Sequence, residues 1–138
     1  MNPGCELCDP KEVIYESDFA YVRYDSNSLS PGHVIVVPRR HVADFFDMSA
    51  AEQGSVVALL NRAQRFIHEK HKPDGYNIGV NVGKAAGQAR MHVHLHLIPR
   101  YAGDVPPRDH DHVSWAQRIA LIGHVGEVAL EEHILRLA

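Results

Sequence analysis

Apolar residues fall into two patterns along this chain: short runs with a period of two, and one long stretch with a period near 3.6. Val13-Ile14-Tyr15 and Phe19-Ala20-Tyr21-Val22-Arg23-Tyr24 predict two strands, with Glu16-Ser17-Asp18 as their turn. Asp25-Ser26-Asn27-Ser28-Leu29-Ser30-Pro31-Gly32 has loop chemistry, and His33-Val34-Ile35-Val36-Val37 predicts a buried strand stopped by Pro38. Ser49-Ala50-Ala51-Glu52 is a capping box. The helix behind it repeats Val56, Leu59, Leu60, Ala63, Phe66 and Ile67 and should end near Lys72, before Pro73. Tyr76-Asn77-Ile78-Gly79-Val80-Asn81-Val82 predicts another strand. Gly83-Lys84-Ala85-Ala86-Gly87-Gln88 predicts a small-residue loop able to bring backbone amides close to an anion. Strands around one helix, without regular β-α alternation, indicate an α+β domain with an antiparallel sheet.

The last strand carries the chemistry. His92-Val93-His94-Leu95-His96-Leu97-Ile98 puts imidazole on one face and aliphatic residues on the other, and Pro99 should end the run. Val93, Leu95 and Leu97 would anchor it in a core, leaving His92, His94 and His96 along a surface open to chemistry. With 11 histidines in 138 residues some coincidence is expected, but strict alternation with aliphatics argues against it. A metal held by all three rings is strained, because His92 and His96 start about 13 Å apart in a strand and zinc–nitrogen bonds are only about 2.0–2.1 Å. Adjacent pairs could share an ion, and at least one imidazole is left free.

Composition bounds the rest. The chain is 45% hydrophobic and 22% charged, which suits a globular domain. Fourteen Lys and Arg against 17 Asp and Glu give a net charge of −3, which argues against a general nucleic-acid or membrane-surface binder. No apolar run reaches the roughly 18 residues of a bilayer span. The first residues lack the basic start and apolar stretch of a signal peptide, so a cytoplasmic protein is expected. Cys5 and Cys8 form a C-x-x-C with three readings: a redox dithiol, a structural disulfide, or half of a zinc site completed by histidines. Beyond Asp104 the chain is first Pro-rich. Then Ile119, Leu121, Ile122, Val125, Val128, Leu130, Ile134, Leu135 and Leu137 predict a helical tail, interrupted by Gly123 and Gly126, packed on the domain or on a partner.

His92 to Ile98 resembles the signature of the histidine-triad (HIT) superfamily, as does Pro31-Gly32-His33-Val34-Ile35-Val36-Val37-Pro38 with a second shared block. Ala86-Gly87-Gln88, the triad, and Pro99-Arg100-Tyr101-Ala102-Gly103-Asp104 resemble the fragile-histidine-triad and bacterial dinucleoside-polyphosphate hydrolase branch. The resemblance implies a HIT-like antiparallel sheet of about five strands with one central helix, a HIT domain over residues 1–105 and a tail over 106–138. It also implies a hydrolase or nucleotidyl transferase that cleaves at the α-phosphate of dinucleoside polyphosphates or related nucleotides.

In that reading His94 is the nucleophile and forms a covalent nucleotidyl-histidine, with its other nitrogen held protonated by a backbone carbonyl. His96 and His33 would hydrogen-bond phosphate oxygens or the leaving group, and Gln88 would stand at the phosphate bridge. Asp25 would hold ribose hydroxyls and Asn81 the α-phosphate. The plainer readings of these two are a turn cap and a strand-end hydrogen bond. Cys5, Cys8, His41 and His92 match the family's structural zinc set, and a homodimer is expected. Ala89 departs from the serine or threonine of many relatives, which puts phosphoramidase-like activity in question, and the tail follows no family pattern. The competing functions are a nucleotide-binding sensor or adaptor with little turnover, and a zinc module in which the triad itself ligates metal.

Overall fold

Three central strands, buried over most of their length, form the middle of the sheet in a computed structural model that describes residues 2–104. The elements run β1 (Tyr15–Glu16), β2 (Ala20–Tyr24), β3 (Val34–Pro38), α1 (Ala50–His71), β4 (Gly75–Val80) and β5 (Leu95–Arg100). They make one five-stranded sheet in the order β1-β2-β3-β5-β4, antiparallel throughout. The α+β architecture with one main helix is the one expected. The tail predicted over residues 106–138 lies outside the described residues.

The helix packs on one face only. Val56, Leu59, Ala63 and Ile67 meet Ala20, Val22, Val34, Val36, Leu95 and Leu97. Its start is the capping box read from sequence: the Ser49 hydroxyl accepts from Glu52 N–H at 3.0 Å, and the Glu52 carboxylate accepts from Ser49 N–H at 2.9 Å. Its end is a left-handed Lys72 (φ 50°, ψ 53°) just before Pro73. Gly32 takes a φ of +89°, and a Cβ there would lie 2.9 Å from His71 Cδ2, so the loop entering β3 needs glycine.

The opposite sheet face holds the functional groups. Tyr21, Ile35 and Val37 are covered there by Leu7 of the N-terminal arm, whose carbonyl accepts from the Tyr21 hydroxyl. His96 pairs with Ile35 and shares that face.

Two expectations about β5 change. The strand begins at Leu95, not His92, because the chain before it turns away: Val93 N–H bonds Val42 O at 2.8 Å, and His92 O accepts from an imidazole. Pro99 does not end the strand, which runs on to Arg100 with Pro99 opposite Tyr76. Pro99 O accepts from Ser30 Oγ at 2.6 Å, on the β3 side. Its nitrogen faces the same way, past the end of β3, so the β4 ladder loses no donor. Pro38 repeats the device at the other end of the seam, with its carbonyl facing His92.

Candidate active site and metal cluster

Four residues from distant parts of the chain meet beside the start of β5. Cys5 and Cys8 lie on the N-terminal arm, His41 follows β3, and His92 precedes β5. His92 Nε2 is 2.7 Å from Pro38 O, a contact that requires the proton on Nε2 and leaves Nδ1 a lone pair. That Nδ1 lies 3.5 Å from both sulfurs, and His41 Nδ1 is 3.2 Å from Cys8 Sγ. All four donor atoms fall within 4.8 Å of one another. Tetrahedral zinc with sulfur at about 2.3 Å and nitrogen at about 2.0–2.1 Å places its donors roughly 3.5 Å apart, so the set fits such an ion. The two cysteines are unbridged.

A second cluster lies on the same sheet face. Asp25 Oδ2, His33 Nε2 and His96 Nδ1 stand 3.0–3.4 Å from one another. These atoms could geometrically hold a metal, but the proton positions oppose it. Leu29 N–H donates to His33 Nδ1 at 3.0 Å, so neutral His33 carries its proton on Nε2, where a metal would have to bind. That proton points at His96 Nδ1 and the Asp25 carboxylate. His96 Nδ1 therefore accepts, and the His96 proton sits on Nε2. This nitrogen is buried without a protein partner.

His94 lies between the two clusters. Its Nδ1–H donates to His92 O at 2.8 Å, the backbone carbonyl expected to hold the tautomer, which leaves Nε2 with its lone pair. The ring stands edge-on to His96 with centroids 4.9 Å apart. Burial pushes His94 and His33 down to about 4, outweighing the His92 carbonyl for the first and the Asp25 carboxylate for the second. Both are neutral at pH 7. Burial opposes ionisation of Asp25, yet the imidazole partners and Asn27 N–H overcome it and hold the carboxyl well below the usual range.

The triad was expected on an open surface, and the structure buries it. His92, His94 and His96 are 0%, 4% and 2% exposed. The N-terminal arm closes over His92, and Arg90 lies against Asp25. The surroundings of His94 are nonetheless polar, with His96, Arg90 and Asp25 the charges and dipoles it feels.

Three of the candidate nucleotide contacts make hydrogen bonds within the protein, and for Asp25 and Asn81 these are the plainer readings given above. The Gln88 amide donates to Ala43 O at 2.7 Å and Arg90 O at 2.9 Å, and its oxygen accepts from Gly83 N–H at 2.8 Å. It braces the loop and presents no free amide. Asp25 Oδ1 accepts from Asn27 N–H at 3.0 Å, the turn cap, while Oδ2 faces the imidazoles. Asn81, one residue past β4, donates to Gly87 O at 3.3 Å, the strand-end bond. Of the loop amides expected to approach an anion, four are bonded within the loop. Ala86, Gly87 and Gln88 N–H all bond back within residues 83–88, and Gly83 N–H meets Gln88.

The HIT domain family model matches residues 7–103. The chain belongs to the HIT domain family. Within it, the chain is 33% identical over 93 residues to an AP-4-A phosphorylase of Mycobacterium tuberculosis, covering 67% of this chain and 48% of that protein. It is 35% identical over 92 residues to a bis(5'-adenosyl)-triphosphatase of Saccharomyces cerevisiae, covering 66% and 45%. This HIT chain thus spans about half the length of these relatives. The crystal structure of a zinc-bound histidine triad family protein from Mycobacterium smegmatis superposes with a TM-score of 0.67 at 29% identity, covering 97% of this chain and 95% of that one.

Sequence reasoning passed over two charged residues beside the Asp25 cluster, Arg90 and Glu6. Arg90 Nη2 is 3.5 Å from Asp25 Oδ1 and Nη1 is 3.7 Å from Glu6 Oε2, while Glu6 Oε1 is 3.3 Å from Arg23 Nη2. Glu6 has no periodic or motif signal, whereas Arg90 falls in phase with the alternating histidines. The position of Arg90 two residues before the triad was the only hint.

Proposed function

We propose that the protein is a nucleotide hydrolase or nucleotidyl transferase that cleaves at the α-phosphate of dinucleoside polyphosphates or related nucleotides. The observation that carries this is the proton placement at His94: Nδ1–H is tied to His92 O, and Nε2 keeps its lone pair beside His96. In the first step the Nε2 lone pair forms a bond to the α-phosphorus, and the bond from phosphorus to the leaving phosphate oxygen breaks. In the second step water attacks the phosphohistidine, and nucleoside monophosphate leaves with restoration of Nε2. His96 Nε2–H is placed to hydrogen-bond a phosphate oxygen as charge develops, and His33 keeps His96 in the right tautomer. Asp25 holds that pair and Asn81 and Gln88 shape the loop, which supports a positioning role for all three. The names of the phosphorylase and triphosphatase relatives support the substrate class.

The Cys5, Cys8, His41 and His92 set would hold a structural zinc, whose chemistry is to cross-link the arm to the start of β5. The zinc-bound relative supports this. The homodimer expected from the family resemblance would use α1 and the edge strand β4, each of which carries a half-exposed apolar residue (Val57, Ile78). Unbridged cysteines suit a cytoplasmic location, and among the described residues no helix is long and apolar enough to cross a membrane.

The test is hydrolysis of diadenosine tri- and tetraphosphate, with trapping of labelled adenylate on the protein by an alkaline denaturing quench. Wild type should turn over and yield a base-stable, acid-labile adduct. His94→Ala should lose the adduct and roughly a thousandfold or more of the rate. Tight nucleotide binding with neither adduct nor turnover would identify a sensor instead.

A further inference from the structure

Among the described residues, three buried side-chain nitrogens or oxygens lack a hydrogen-bond partner, and two of them are in this site: His96 Nε2 and Arg90 Nη1. An unpartnered buried donor is costly unless something satisfies it in use. Arg90 has carboxylates nearby, but at 3.5 and 3.7 Å, longer than the roughly 2.7–2.9 Å of a formed charge-assisted bond. Both carboxylates are already engaged. Asp25 Oδ2 faces His33 and His96, its Oδ1 accepts from Asn27 N–H, and Glu6 is held by Arg23. The backbone of Arg90 is fixed, its carbonyl accepting from Gln88. The result is a guanidinium held loosely by two acids on a rigid backbone, next to the imidazole donors.

We infer that Arg90 is a specificity-determining residue whose Nη1, together with His96 Nε2, takes a phosphate oxygen of the bound nucleotide, while Asp25 and Glu6 hold the guanidinium when no nucleotide is bound. This rests on the proposed nucleotide chemistry. A planar guanidinium suits phosphate better than a lysine ammonium does, because two of its N–H groups can reach two oxygens at once. The rival role is a purely structural tether between arm and sheet.

Titration calorimetry of the metal-loaded full chain with adenosine and with AMP separates the two. Arg90→Ala should weaken AMP by about tenfold to a hundredfold and adenosine little, so that the preference for the phosphorylated ligand collapses. Arg90→Lys should restore part of that preference. Glu6→Gln removes one of the two holders and should leave AMP as tight as in wild type, or tighter. Equal loss for adenosine and AMP, no loss for either, or a Glu6→Gln protein that behaves like Arg90→Ala would overturn the inference. Should Arg90→Ala lose its fold or its metal, Arg90→Gln gives the same readout. If wild type turns over dinucleoside polyphosphates while Arg90→Ala keeps its AMP preference, only this inference fails. If wild type shows neither turnover nor a preference for AMP over adenosine, the nucleotide reading falls with it.

Discussion

Protonation of His33 and Asp25 makes stability depend on pH in a definite direction. His33 titrates near 4 in the fold against about 6.5 in an unfolded chain. As pH falls, the unfolded chain binds that proton first, so the stability present above the unfolded value is lost as pH falls toward the folded one. Asp25 acts in the same sense lower down: its carboxyl is held below the ordinary range, and its contribution disappears as acid protonates it. The urea midpoint should therefore fall between pH 7 and pH 4.5, and His33→Gln should flatten that slope. A midpoint that stays level or rises across this window would show that these groups are not buried as described. The imidazole row was legible from alternation alone. Its burial was not, because the N-terminal arm that closes over His92 comes from 87 residues away in sequence.

At the level of elements, local signals and tertiary contacts divide the work unevenly. The helix carries its own start, since both halves of the Ser49–Glu52 box form. Ser49→Ala should cost about 0.5–2 kcal/mol, read as a lower urea midpoint with an unchanged denaturant slope. Removing Arg40 takes three hydrogen bonds from the buried Glu52 carboxylate, which then keeps only Ser49 N–H, and should also lower the urea midpoint. The strand edges behave differently. Pro99 read as a terminator, yet it sits inside β5 because its nitrogen faces away from β4 and Ser30 satisfies its carbonyl. The 83–88 loop read as an anion cradle from its glycines, and four of its amides bond loop carbonyls or the Gln88 side chain instead. Which way a nitrogen or an amide points depends on neighbours that the local sequence does not name.

For the whole molecule, the candidate metal ligands Cys5, Cys8, His41 and His92 make the longest-range connection. It joins the arm to His41 and His92, across sequence separations of 33 and 84 residues, and the same arm lays Leu7 against Tyr21, Ile35 and Val37. Chelation at neutral pH should lower the melting temperature and open residues near the arm to protease, and Cys8→Ser should reproduce both. Metal analysis should give one zinc per chain. A chelated protein that melts unchanged would remove the structural role. The sequence by itself determined the alternating strands, the amphipathic helix and the chemical types gathered in Cys5, Cys8, His33, His41, His92, His94 and His96, because period and side-chain chemistry are local properties. Only the tertiary structure decided which imidazole nitrogen carries each proton, that Asp25 faces histidines and that Gln88 braces a loop. Those follow from hydrogen bonds between groups brought together by folding, and such contacts have no spacing to read.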